Sequence, residues 1–177
     1  MTPYFSELAM SYIARFKLAD DYIKHTNQIV GSIEDPFIRQ RYIGFVATSA
    51  VTALELAIKD ILHEFAHKKH KVFGAFVEDI YENINGRIQL RELKNTHIKR
   101  FGLKYVKRFE KSIDKKEKKS LSLASRSVKS SYGNIITWRH TFVHSGEVAQ
   151  NASYDEAVRA FEDSKEVIHV LNSTMVR

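Results

Sequence analysis

Two short runs hold residues whose types and spacing could do chemistry. In His63-Glu64-Phe65-Ala66-His67, two imidazoles four residues apart share one helix face, with a carboxylate between them. Such a pair can bind zinc while the glutamate activates a bound water. A catalytic zinc takes a third protein ligand as a rule. The residues that follow, Lys68-Lys69-His70-Lys71, lack the glycine and third histidine of the extended motif and crowd the run with cations. No strand that could hold a peptide beside the helix precedes it. The expectation is therefore no metal and no cofactor, with His63, Glu64 and His67 as solvated residues near a helix end. A metal-dependent hydrolase built on these three is the alternative.

The second run is Trp138-Arg139-His140-Thr141-Phe142-Val143-His144-Ser145-Gly146. Arg139 falls on the helical stripe of Val128, Tyr132, Ile135, Ile136 and Phe142, so it points where apolar residues point. A guanidinium stays ionised and must find an anion or acceptors there. Five residues of continuous helix turn roughly 140° past a full circle, so Arg139 and His144 cannot meet on an intact helix. Ser145-Gly146 is a helix stop, and a frayed last turn would swing His144 toward Arg139. The other reading is an arginine paired with a buried acid, plus a histidine favoured by the helix dipole.

These runs need elements to hold them, and the chain reads as helices. It has 177 residues, 7 Gly, 2 Pro and no Cys, with 44% hydrophobic and 28% charged residues. That composition excludes wholesale disorder, disulfide frameworks and thiolate chemistry. Cysteine-free composition fits a reducing compartment, so a cytoplasmic location is expected. No apolar run is long enough to span a membrane, and the first residues do not read as a signal peptide.

A first helix is expected from about Tyr4 to Val30. A second runs from Phe37 to about His70, opened by Asp35-Pro36 as N-cap and first helical residue. Its stripe is Ile38, Phe45, Val51, Leu54, Ile58, Ile61 and Phe65. Val72 to Ile84 is a shorter helix, stopped by Asn85-Gly86. Residues 87–127 give a broken helical pattern, with Lys115 to Lys119 as an exposed helix end or a loop. The motif helix starts at Val128. Ser153-Tyr154-Asp155-Glu156 is a capping box for a last helix through Met175. No run alternates as a strand would. The fold expected is all-α, a four-helix core with an inserted basic helical segment.

The charge is local. The net +7 arises from residues 99–129, where twelve basic and three acidic residues give a balance of +9; residues 1–98 are balanced. A solvated helix face is one reading. A phosphate-binding surface is the other, since clustered cations displace the counterions of a polyanion. Lys104, Lys107, Arg108 and Lys111 fall at helical steps and would form one ridge facing RNA phosphates.

The run from Arg139 to Gly146 resembles the motif of the HEPN superfamily. Ribonuclease members of that superfamily carry Arg, a polar residue, three more residues, then His, often followed by Gly. Here the polar position, commonly Asn, is His140, and Ser145 stands between His144 and Gly146. The likeness covers most of the chain: two long helices, a variable insert, the motif helix, a short loop and a capped last helix. The subfamily it is most similar to is the RiboL-PSP type, with Glu55 on the second helix in the place of an acidic or polar partner.

The resemblance implies a four-helix HEPN-like bundle, one domain over 1–177 with a helical insert at about 86–127. It also implies metal-independent RNA cleavage. The ribose 2′-OH attacks the adjacent phosphorus, leaving a 2′,3′-cyclic phosphate and a 5′-OH. His144 would move a proton, Arg139 would hold the non-bridging oxygens, and His140 would assist or fix a tautomer. One chain supplies one strong base where acid and base are both needed, so a homodimer with two motifs in one cleft is implied. Trp138 and Phe142 are expected at that interface. The function expected is an endoribonuclease, a toxin or defence enzyme acting on tRNA or other RNA, with a cognate antitoxin or regulator as partner. The alternative is an inactive HEPN-like module that binds nucleic acid or a protein.

Overall fold

The chain's structure is a computed structural model that describes residues 12–82, 87–148 and 152–176. The described elements are α1 (Ile13–Ile29), α2 (Pro36–Lys69), α3 (Lys71–Glu82), a single turn α4 (Leu90–Glu92), α5 (Leu103–Ala124), α6 (Val128–Ser145) and α7 (Tyr154–Met175). A π turn, Leu93–His97, and a 3-10 turn, Ile98–Phe101, join α4 to α5. No strand occurs among the described residues. The part of the first expected helix before residue 12, and the Asn85-Gly86 stop, lie outside them.

Local chemistry sets the helix ends. The Asp35 carboxylate accepts from the Phe37 N–H at 2.8 Å, with Pro36 filling the first helical position where no donor is needed. Ser153 and Glu156 form a reciprocal capping box: Oγ accepts from the Glu156 N–H, and Oε2 accepts from the Ser153 N–H at 2.7 Å. Glycine in the left-handed region, Gly146 at φ 67°, ends α6.

Helix α2 runs through the middle and packs against α1, α3, α6 and α7. Ala47, Ala50, Ala53 and Ala57 are fully buried along it, so neighbouring backbones come close. Phe16, Ala19 and Ile23 of α1 complete the core with Tyr132 and Ile135 of α6 and Ala157, Phe161, Ile168 and Leu171 of α7. The fully buried Tyr132 donates its hydroxyl to the Ile88 carbonyl at 2.6 Å, tying the segment after α3 to the motif helix. Burial pushes that hydroxyl far above the ordinary tyrosine range, so it stays a donor.

Two expectations are corrected. Residues Lys115 to Lys119 are neither a helix end nor a loop: α5 is continuous from Leu103 to Ala124. Its polar stretch is held by partners from other helices. Lys116 pairs with Glu166 of α7 at 2.7 Å, and Glu117 accepts from Ser127 Oγ and from the Lys129 N–H at the start of α6. The stripe of α2 is also not buried throughout. Ile38 and Phe45, near its N-terminal end, are exposed.

Candidate active site

Helix α6 carries the second run to its end without fraying. The Gly146 N–H donates to the Phe142 carbonyl at 3.1 Å, and Ser145 Oγ donates to Thr141. The expected swing of His144 toward Arg139 does not occur, because the last turn keeps its hydrogen bonds. His144 instead lies four residues on from His140 on the same face, with ring centroids 4.4 Å apart. Both imidazoles are exposed. Arg139 projects from another face of the helix and is half-buried.

Among the described residues Arg139 makes no hydrogen bond or ion pair. The buried acid that would neutralise it is therefore not supplied by them. A half-buried guanidinium retains its charge and its five donors, which fit the non-bridging oxygens of a phosphodiester.

The end of α6 is seated on α2 by Phe142 and Phe45, which lie on the two helical stripes, and by Gly44 and Arg41, which periodicity does not single out. The Phe142 ring lies on Gly44, where any side chain would collide with it. Phe45 meets the same ring edge-on at 5.2 Å between centroids. Arg41 donates to the Gly146 carbonyl and stacks on Phe37, its guanidinium carbon 4.6 Å from the ring centroid. Phe142 is thus used in an intrachain contact, and Trp138 is half-buried against the core. The apolar surface beside the motif comes instead from Phe37 (63% exposed), Ile38, Phe45 and Val143.

Glu55 is half-buried, its carboxylate 3.5 Å from Lys59 Nζ. It lies eleven residues on from Gly44, roughly 16 Å along α2, whereas Arg139 is within one turn of Phe142. The structure does not bring Glu55 to Arg139 in the same chain.

The first run ends α2 and packs on α3. His63 and His67 have ring centroids 5.7 Å apart. His67 is pressed against Gly74, a position where a Cβ would come within 2.5 Å of Nδ1, and that nitrogen is buried without a partner. Glu64 turns outward to Lys68, while Glu78 of α3 sits 3.5 Å from His63 Nε2. The glutamate of the run is thus on the solvent side, paired with a lysine. Among the described residues no group of three or more His, Asp or Glu is arranged to hold a metal ion.

Of the basic ridge, Lys104, Lys107 and Lys111 are exposed, but Arg108 is not equivalent to them. It is half-buried, and its Nη1 donates to the Thr174 carbonyl at 3.1 Å, near the end of α7.

The sequence pattern marks Phe45 on the α2 stripe but not Arg41, Gly44 or Gly74 as site residues. A glycine inside an otherwise apolar helix was a usable signal at Gly44, since it marks close approach. Nothing local marks Arg41.

The RiboL-PSP-HEPN family model matches residues 11–177. No curated protein and no solved structure matches the chain. No described helix is long and apolar enough to cross a membrane.

Proposed function

The chain belongs to the RiboL-PSP-HEPN family, and from that premise we propose that it is a metal-independent endoribonuclease with Arg139, His140 and His144 at its centre. Residues 1–177 are read as one such domain, with residues 86–127 as its helical insert. The supporting observation is Arg139, a half-buried cation in the second half of the motif helix with no hydrogen bond or ion pair among the described residues, flanked by Trp138 one residue before it and Phe142 three residues after it.

In the proposed reaction a base removes the 2′-OH proton and the oxygen attacks the adjacent phosphorus. The P–O5′ bond breaks, and an acid delivers a proton to the departing 5′ oxygen. Products are a 2′,3′-cyclic phosphate and a 5′-OH. Arg139 binds the non-bridging oxygens as charge builds on them. His144 moves one proton. His140, 4.4 Å away ring to ring, orients it or holds the RNA.

On an intact helix Arg139 and His144 of one chain diverge, so the reading takes a homodimer in which each motif faces its mate. The exposed apolar residues Phe37, Ile38, Phe45 and Val143 beside the motif suit such an interface. A cytoplasmic toxin or defence role, tRNA as target and an antitoxin as regulator follow from the family likeness alone.

The test is incubation with total RNA in EDTA, followed by analysis of product ends. Cleavage to 2′,3′-cyclic phosphates, lost in Arg139→Ala and His144→Ala, is expected. RNA binding with no cleavage would make the chain a binding module, and cleavage only with added divalent metal would reject the mechanism.

A further inference from the structure

Helix α5 sorts its charges by face. Its three acids, Glu110, Asp114 and Glu117, fall on one side and all meet neighbouring elements. Glu110 pairs with Lys94 at 2.9 Å, Asp114 with Lys129, and Glu117 caps the start of α6. The carboxyl of Asp114 is held below its usual range, first by the hydrogen bond from Lys129. Tyr105, Phe109 and Ile113 form the buried stripe. Arg108 and Lys116 turn to α7, to Thr174 and Glu166.

Apart from Lys119, what is left is a single line of lysines. Lys104, Lys107, Lys111, Lys115 and Lys118 recur at steps of three and four residues, a band about 80° wide at 100° per residue. All five are exposed, and among the described residues none makes an ion pair or hydrogen bond. The band is about 21 Å long at 1.5 Å per residue. Five of the twelve cations of residues 99–129 thus share one solvent face, while the three acids of the helix are hydrogen-bonded or ion-paired to other elements.

This line is remote from the motif. Helix α5 meets α6 at Lys129, and His144 lies fifteen residues beyond, about 22 Å along α6. It meets α7 near Glu166, thirteen residues from the capping box that follows the motif loop.

We propose that the α5 lysine line is a second RNA-binding site, a backbone grip separate from the catalytic motif, which makes long or folded RNA the substrate class. The proposal rests on the ribonuclease reading for what happens at the motif, but not for binding itself. A strand of B-form duplex advances about 3.4 Å per nucleotide and A-form RNA advances less, so at least roughly seven nucleotides are needed to reach from one site to the other. The grip is sequence-independent, since lysine ammonium groups contact phosphates and not base edges.

The test replaces Lys107, Lys111, Lys115 and Lys118 together with Gln. These side chains are exposed and make no hydrogen bond or ion pair among the described residues, so the melting temperature serves as the folding control. Binding of a folded RNA of about 70 nucleotides is measured against salt in a His144→Ala background, where cleavage does not interfere. Loss of four phosphate contacts lowers the slope of log K against log salt by about 3, and affinity at low salt falls about 10- to 1,000-fold. In the otherwise unaltered protein, kcat/KM on the folded RNA falls while that on a trinucleotide is unchanged. An unchanged salt slope, or equal losses on both substrates, overturns the proposal. So does polyglutamate competing as well as RNA, which would assign the face to an acidic protein. RNA binding that depends on the lysines without any cleavage leaves the grip standing and removes the nuclease reading. Cleavage of long RNA that ignores the lysines does the reverse.

Discussion

The ring of Phe142 occupies the space that a side chain on Gly44 would need: a Cβ there would come within 2.2 Å of Phe142 Cγ and Cδ2. This contact joins the last turn of the motif helix to α2, three residues from Arg139 and two from His144. The motif is positioned by a glycine on another helix.

Gly44→Ala should lower stability despite alanine's better helix propensity. Overpacking costs about 1–3 kcal/mol, and the propensity gain offsets at most about 1 kcal/mol. A net loss of about 1–2 kcal/mol in urea unfolding is expected. Combined with Phe142→Ala the two losses should not add, because the second change removes the atoms the first collides with. Strict additivity would show that the contact does not hold the helices.

Arg139→Lys keeps the charge but loses the planar fork, so cleavage should fall by about 100-fold or more with folding unaltered. A mixed dimer of Arg139→Ala and His144→Ala chains keeps one intact residue of each kind. It should recover cleavage that neither mutant homodimer shows. A monomer at micromolar concentration with full activity would reject the shared cleft.

Asp163, 5% exposed, accepts from Arg126 Nη2 and from Ser131 Oγ, both at 2.9 Å. Asp163→Ala should cost about 2–3 kcal/mol, since charged hydrogen bonds from two elements are lost. Arg126 is partly exposed, so Arg126→Ala should cost less. Chemical denaturation of the two variants gives the order, and equal losses would contradict it.

His97 is buried, its Nε2–H donating to the Arg87 carbonyl at 2.8 Å while Nδ1 has no partner. Burial, more than any neighbour, pushes its pKa below the ordinary value. The folded state therefore binds this proton less well than the unfolded chain. The stability it contributes is complete above the unfolded value of about 6.5 and declines as pH falls through it. Urea midpoints should drop between pH 7.5 and 5.5, and His97→Gln should flatten that drop. A drop of the same size in the variant would assign it to other groups.

The helices and their ends were legible because both are local. Asp35-Pro36 and Ser153 with Glu156 act within one turn, and Val128, Tyr132, Ile135 and Ile136 of the α6 stripe are buried. The polar run Lys115 to Lys119 was not legible as helix, since Glu166 and Ser127, which hold it, come from elsewhere in the chain.

The same division applies to function. Residue types and spacing alone determined that the chain is all-α, that its excess charge lies in residues 99–129, and that Arg139 and His144 stand on one helix beside an apolar stripe. Only the tertiary structure decided that Arg108 and Lys116 serve α7 while Lys107 and Lys111 face solvent, that Phe142 rests on Gly44, and that His67 is pressed against Gly74. Periodicity sets which face of a helix is apolar. Which partner meets each remaining face depends on the register between helices, and that register is set by side chains far apart in the chain.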